Sequence, residues 1–366
     1  MTKENREHLT IFGEMEKYGH EQVIFNYDKA TGLRSIIAIH DTTLGPALGG
    51  CRMWNYESEE EALKDALRLA RGMTFKCGVA GVTHGGGKTV IWGDPKKDKS
   101  DEYFQALGTF VETLKGRYYT GTDVGTVGMD FVSAGKQTKY VVGLPEEYGG
   151  SGNSAIITAY GVWQAMKATA KESFGSHSLE DLTVAVQGLG KVGQLLVKHL
   201  HDEKVKKIYV TDIDEENVRK VLAEYPETEA VQPDEIYGVE CDIYSPNALG
   251  AVVNDDTLGK FKCKAIVGAA NNVLAEERHG DLLHEMGIVY APDYVANAGG
   301  LIQVADELNG YNKDRAFKNA SLIYDIVTQI YNISREQNIP TYKAADVLVT
   351  NKIDKIGKLK CKYTGK

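Results

Sequence analysis

Apolar and polar positions alternate over 22–27 and again over 35–40, with a polar turn at 28–32 between them, which predicts two strands. The period then changes. Ala62, Leu63, Ala66, Leu67 and Ala70 recur at helical spacing, and Glu59, Glu60 and Glu61 sit where a first turn favours negative charge, so 58–71 predicts an amphipathic helix. A short apolar strand at 89–92, a helix at 101–115 and a strand at 117–121 follow. The glycine cluster Gly149-Gly150-Ser151-Gly152 marks a boundary. Beyond it a helix is predicted at 157–171, and strand-like runs at 182–187, 207–211, 241–244, 265–268 and 287–290 are separated in several places by helix-like segments. That alternation predicts an α/β fold with a doubly wound parallel sheet. Two helical segments, 315–337 and 342–358, close the chain. With 366 residues, two domains are expected. The first covers 1–150, completed by about 326–366, and the second covers 151–325.

The strand at 182–187 runs into Gly188-Leu189-Gly190-Lys191-Val192-Gly193, which opens a helix. In that context the spacing has a physical meaning. Gly188 permits a tight turn, Gly190 lets a pyrophosphate approach the backbone, and Gly193 lets helix pack on strand, while the helix N-terminus offers N–H groups to phosphate. The next strand ends in Asp212, 24 residues after Gly188. A carboxylate there accepts hydrogen bonds from ribose hydroxyls and repels a 2′-phosphate, which favours NAD over NADP. The bland alternative is an aspartate that only caps a turn.

A second signature lies upstream. Lys76 and Lys88 are twelve residues apart, and Gly85, Gly86 and Gly87 precede the second. A phosphate-binding P-loop requires glycine at position 82, where Val82 stands, and Lys88 leads into a strand rather than a helix. One reading is a site for an anionic substrate and a base: three glycines let a substrate lie against backbone, and a desolvated lysine near a second cation can give up its proton; the other is that both lysines are surface residues, which the glycine run disfavours. Asp123, in a glycine-flanked loop, could hold Lys88 or a water and relay protons, although taken alone such a residue is more often a turn aspartate; His84 is assigned to packing or surface.

Composition narrows the partners. The formal net charge of −9 opposes general nucleic-acid binding. No run is apolar enough to span a membrane, and residues 1–10 lack a signal-peptide core, so a cytoplasmic location is expected. Cysteines 51, 77, 241, 263 and 361 form no C-x-x-C pair, and the nine histidines show no metal spacing, so neither disulfides nor a metal is expected.

Taken together, Leu44-Gly-Pro-Ala-Leu-Gly-Gly50 with Arg52-Met53, Gly72-Met-Thr-Phe-Lys76, Gly85-Gly-Gly-Lys88, the Asp123 loop, the Gly188 motif, Gly268-Ala-Ala-Asn271-Asn272, Ala291-Pro-Asp-Tyr294 and Asn297-Ala-Gly-Gly300 resemble, in order, the leucine/phenylalanine/valine group of the glutamate dehydrogenase superfamily. The resemblance runs over about 20–346. It implies an N-terminal substrate-binding and oligomerisation domain, a Rossmann NAD domain, and a homo-oligomer. The reaction it implies is NAD-dependent deamination of an L-amino acid to the 2-oxo acid, ammonium and NADH, and its reverse. By the same resemblance, Lys76 and Asn271 hold the substrate carboxylate. Lys88 activates the water that attacks the imine, and Asp123 supports proton transfer. Asn272 lies near the nicotinamide, the Gly49-Gly50 backbone lines the substrate site, and Leu48, Gly121, Leu301 and Val304 shape the side-chain pocket.

Several stretches look like phenylalanine enzymes and others like leucine enzymes. Gly121 in place of a bulkier alanine leaves space for a ring, so phenylalanine is favoured and leucine is the alternative. A non-catalytic NAD(H)-binding regulator is the rival from another class, and the intact Lys76, Lys88, Asp123 and Asn271 set argues against it. The chain departs from the family pattern at Asn247, where cysteine is usual, in the missing proline of 153–158, and in a short C-terminal segment that leaves the subunit number open.

Overall fold

The computed structural model describes residues 10–359, so Cys361 lies outside the described residues. The chain forms two compact units. One holds the chain up to Gly152 together with the segment from Lys352 onward, and the other holds Asn153–Asn351.

The first unit is built on a five-stranded mixed sheet: β1 (Gln22–Tyr27), β2 (Arg34–Asp41), β3 (Ala47–Trp54), β4 (Gly85–Trp92) and β5 (Tyr118–Thr122), in the order β1-β2-β4-β3-β5. β1 and β4 flank β2 antiparallel, whereas β3 runs parallel to both β4 and β5. Side chains alternate across the sheet and make two cores. Ile36, Ala38 and Val90 meet Ala62, Leu63, Ala66, Leu67 and Ala70 of the helix Glu59–Val79. On the other face Ile37, Cys51, Met53, Ile91 and Tyr118 meet Phe104, Leu107 and Val111 of the helix Asp101–Glu112. Ser58 caps the first helix by accepting the Glu61 N–H. That helix runs eight residues beyond the predicted end at Arg71, because its buried face continues through Thr74, Cys77 and Val79.

β4 also starts earlier than predicted and includes all three glycines before Lys88. Each is glycine because protein, not ligand, lies against it. A Cβ on Gly85 would overlap the Asp41 carbonyl, one on Gly86 would overlap Thr74, and one on Gly87 would stand 2.8 Å from the Tyr118 ring. The expectation that this run gives a substrate access to backbone is therefore corrected.

The second unit carries six parallel strands, β6 (Thr183–Gln187), β7 (Lys207–Thr211), β8 (Thr228–Ala230), β9 (Ile243–Pro246), β10 (Ala265–Ile266) and β11 (Val289–Tyr290), in the order β11-β10-β9-β6-β7-β8. The strand order reverses between β6 and β9, the switch point at which open α/β sheets bind ligands. The predicted helix 315–337 is two helices, Lys313–Ser321 and Ile323–Gln337. Residues 326–351 belong to this second unit rather than completing the first. Val327, Ile330 and Tyr331 are buried, and the Tyr331 hydroxyl meets Thr169 Oγ1 of the helix Ala155–Phe174 at 2.6 Å.

Candidate active site

Lys88 and Asp123 come from neighbouring regions of the first sheet. Lys88 stands on β4 and is 5 % exposed. Asp123 follows the last residue of β5, and its Oδ2 lies 2.7 Å from Lys88 Nζ. The same oxygen receives Arg52 Nε of β3 at 3.1 Å. Burial raises the Asp123 carboxyl, but Lys88 and then Arg52 outweigh it, and the group is held below the ordinary carboxylate range. The loop is fixed by Thr126, whose hydroxyl accepts from the Asp123 N–H and lies within hydrogen-bonding distance of the Cys51 carbonyl, both at 2.9 Å.

The other predicted residues of this unit fall around the pair to different degrees. A Cβ on Gly50 would meet the Thr122 carbonyl at 2.6 Å and Asp123 Cβ at 2.9 Å, so glycine lets β3 and the acid approach. A Cβ on Gly49 would overlap the Gly87 carbonyl, and the Gly49 carbonyl accepts the buried Tyr118 hydroxyl at 2.9 Å. Leu48 is buried opposite Gly86 and Tyr119. Lys76 is half-buried in the last turn of the helix Glu59–Val79. His84 is buried edge-on to Tyr119, as packing. Cys51 lies buried nearby, its thiol pushed up by burial.

In the second unit the glycine motif has the expected geometry. Gly188 has φ +95°, which only glycine adopts without strain, and a Cβ on it would stand 2.6 Å from Ala248. A Cβ on Gly193 would overlap the Gly188 carbonyl, so helix and turn are in contact there. Gly190, by contrast, has no atom within 4 Å of the Cβ position. It is the N-cap of the helix Lys191–Asp202, and it and Lys191 are exposed. An exposed glycine with open space at a helix N-terminus fits a pyrophosphate. Val192 is half-buried, and Leu189 is buried. The Asp212 carboxylate accepts the Leu189 N–H at 2.5 Å. Asn271 and Asn272 are exposed on the loop after β10, with Asn272 at φ +53°. Asn271 Oδ1 accepts from Asn297 Nδ2 at 2.7 Å, so the amide nitrogen is the end of Asn271 that can donate. Leu301 and Val304 are half-buried, one turn apart on the helix Gly299–Glu307.

Residues 20–143 match the family model described as Glu/Leu/Phe/Val dehydrogenase, dimerisation domain, and residues 149–216 and 209–359 match that of Glutamate/Leucine/Phenylalanine/Valine dehydrogenase. The chain belongs to this family. It is an amino acid dehydrogenase with NAD as its cofactor. It is 55 % identical to a leucine dehydrogenase of Geobacillus stearothermophilus, over 97 % of this chain and 96 % of that one. It is 51 % identical to a phenylalanine dehydrogenase of Caldalkalibacillus thermarum, over 93 % of each. The crystal structure of L-tryptophan dehydrogenase from Nostoc punctiforme superimposes with a TM-score of 0.88 at 42 % identity, covering 95 % of this chain and all of that one.

Two features of this dehydrogenase change the sequence reading. Gly121 does not open space: its Cβ direction is filled by Val142, whose carbonyl would stand at 2.7 Å and Cγ2 at 3.0 Å. The argument that Gly121 leaves room for a ring therefore fails on packing. Asn247, at the departure from the family pattern, is a brace. Its side chain donates to the Ser245 carbonyl at 2.9 Å and accepts the Ala269 N–H at 3.0 Å, tying the ends of β9 and β10 together.

Sequence reasoning missed the acid beyond Arg52. Arg52 Nη1 reaches Asp65 Oδ2 at 3.0 Å, and that oxygen also accepts the Tyr56 hydroxyl at 2.7 Å. The available signal was parity: Gly50 and Arg52 alternate on β3 as Gly86 and Lys88 do on β4, which puts the two cations on one face once the strands are paired. Among the described residues no group of His, Cys, Asp or Glu could hold a metal ion, and no helix is long and apolar enough to cross a membrane.

Proposed function

We propose that this dehydrogenase converts L-amino acids with a bulky apolar side chain, leucine and phenylalanine alike, to the 2-oxo acid, ammonium and NADH, and runs the reverse reductive amination. The observation that carries this reading is the buried Lys88 with its Nζ 2.7 Å from the Asp123 carboxylate. When bound, NAD accepts the hydride from the substrate Cα. Lys88 then takes the proton of the water that adds to the imine carbon, and Asp123 orients Lys88 and shares that proton. Lys76 and the amide nitrogen of Asn271 are the donors to the substrate carboxylate. Gly190 and the N-terminus of its helix hold the pyrophosphate, Asp212 the ribose, and Asn272 the nicotinamide end.

The apolar class is supported by Leu48, Leu301 and Val304, none of which offers a charge to a second carboxylate. Leucine and phenylalanine are not separated by these residues, which offer apolar surface and no polar group that would favour one side chain over the other. We also read the protein as a cytoplasmic homo-oligomer, supported by the match of its first unit to the dimerisation-domain model.

The test is kcat/KM for L-leucine, L-phenylalanine, L-valine and L-glutamate with NAD. Leucine and phenylalanine should both be turned over, with glutamate far below both. Glutamate as the best substrate, or no turnover of leucine or of phenylalanine, overturns the reading. Lys88→Ala should lose about 10²–10⁴ in rate while its melting temperature shows a folded enzyme; retained turnover would remove Lys88 as the base.

A further inference from the structure

Asp123 Oδ2 serves two cations at once: Lys88 Nζ at 2.7 Å and Arg52 Nε at 3.1 Å. Sharing one oxygen is a competition, because each cation reduces what the acceptor can give the other. Arg52 does not compete with its whole charge. Its Nη1 is held by Asp65 Oδ2 at 3.0 Å, and Asp65 comes from the helix Glu59–Val79 with Tyr56 on the same oxygen and Arg68 at 2.8 Å on the other. The guanidinium is thus stretched between two carboxylates by its two adjacent donors, an arrangement that a single ammonium cannot reproduce.

We infer that Arg52 is a positioning residue for the proton-transfer pair: by sharing Asp123 Oδ2 it loosens the carboxylate's hold on the Lys88 ammonium and sets the pH at which Lys88 becomes a base. This rests on the reading of Lys88 as the base. A guanidinium keeps its charge throughout the working range, so its influence is constant across the pH profile. Arg52 disfavours a second positive charge beside it and weakens the attraction that Asp123 exerts. Asp65 acts in the opposite sense by drawing Arg52 away.

Other charged groups lie near Arg52 and the pair: Glu61 and Lys64 line the same hollow as Arg52, and Lys64 is held by Glu60 at 2.9 Å. Lys88 comes from β4, Arg52 from β3, Asp123 from the end of β5, and Asp65 and Arg68 from the helix. Tyr56 and Cys51 both stay protonated, their groups pushed up by burial. Lys99 and Asp130 pair with each other at 2.6 Å.

The experiment is the pH profile of kcat/KM for L-leucine with NAD, measured on the parent, Arg52→Gln, Arg52→Lys and Asp65→Asn, with thermal melts of each. Arg52→Gln should move the alkaline-rising limb up by about one pH unit or more, with the rate recovering at high pH. Asp65→Asn should move it down, and Arg52→Lys should fall between parent and Arg52→Gln. Opposite signs for two variants of one network are what a merely structural role does not give. If both limbs stay at the parent's position and the rates drop uniformly, the inference is overturned. Should Arg52→Gln fail to fold, the sign of Asp65→Asn decides alone. A parent profile with no such limb, or one that persists in Lys88→Ala, instead removes the Lys88 reading and takes the inference with it.

Discussion

The backbone N–H of Leu189 donates to Oδ2 of Asp212 at 2.5 Å, and the N–H of Asp214 donates to Oδ1 of the same carboxylate at 2.8 Å. One side chain at the end of β7 thus braces the glycine turn after β6. Each oxygen keeps a lone pair for a ribose hydroxyl. Asp212→Asn preserves an acceptor for Leu189 and removes the charge. It should lower kcat/KM for NAD about tenfold, the scale of one charge-assisted hydrogen bond, and raise relative use of NADP. Asp212→Ala should in addition lower the melting temperature. A variant Asp212→Asn with the parent's NAD-to-NADP ratio would mean that the aspartate only caps the turn.

Gly190 and Gly193 stand three residues apart in one motif and should fail differently. Gly193→Ala forces a Cβ into the Gly188 carbonyl, so helix and turn must separate, with a cost of about 1–3 kcal/mol for overpacking. It should melt early even without NAD. Gly190→Ala meets no atom within 4 Å and has φ −67°, so its melting temperature should stay near the parent's. Its loss should appear in NAD affinity, measured by fluorescence titration. Equal NAD affinity in Gly190→Ala would show that the pyrophosphate does not approach there.

Gly121→Ala separates packing from specificity. The added methyl meets the Val142 carbonyl at 2.7 Å, so it should destabilise the first unit by about 1–3 kcal/mol. The ratio of kcat/KM for phenylalanine over leucine should change by less than the total loss of activity. A stable variant with a clean switch toward leucine would restore the pocket argument that the structure removes.

How far the chain could be read depended on whether the signal was local. β1 and β7 occupy the predicted residues, and the dinucleotide motif is a contiguous strand, turn and helix start, so it was legible. β3 was not, because Gly49 and Gly50 interrupt the apolar alternation in its middle, and their small size answers to Gly87 on β4 and Asp123 just after β5. The triple glycine of β4 misled for the same reason: a glycine run read alone suggests ligand access, and only the tertiary neighbours Asp41, Thr74 and Tyr118 explain it. The pairing of Arg52 with Asp123 and Asp65 escaped because strand register, which places β3 between β4 and β5, is not written in local periodicity. Residues 326–351 were misassigned because an amphipathic helix shows that it packs, not on what.

His40 and His84, both in the first unit, give it a pH-dependent stability. His40 is buried between Thr74 Oγ1 and the Tyr18 carbonyl, each at 2.8 Å, and His84 is buried against Tyr119. Burial pushes each of them down to about 4. In the unfolded chain they titrate near pH 6.5, so between about 6.5 and 4 the unfolded state binds more protons than the folded one. Folding stability is therefore complete above about pH 6.5 and falls as pH drops through that window, by up to a few kcal/mol per histidine at about 1.4 kcal/mol per unit. The carboxylates held low, Asp123 and Asp65, add a separate loss only below their ordinary range near pH 3.8. Urea unfolding at pH 7.5, 6.5, 5.5 and 4.5 should show the midpoint falling between the last three. His84→Phe, which cannot titrate, should flatten that fall where it folds. His40→Gln, which keeps hydrogen-bonding capacity without the proton, serves as the second variant. A midpoint constant from pH 7.5 to 4.5 in the parent would sink the argument, because two buried neutral imidazoles cannot stay silent across their own titration range.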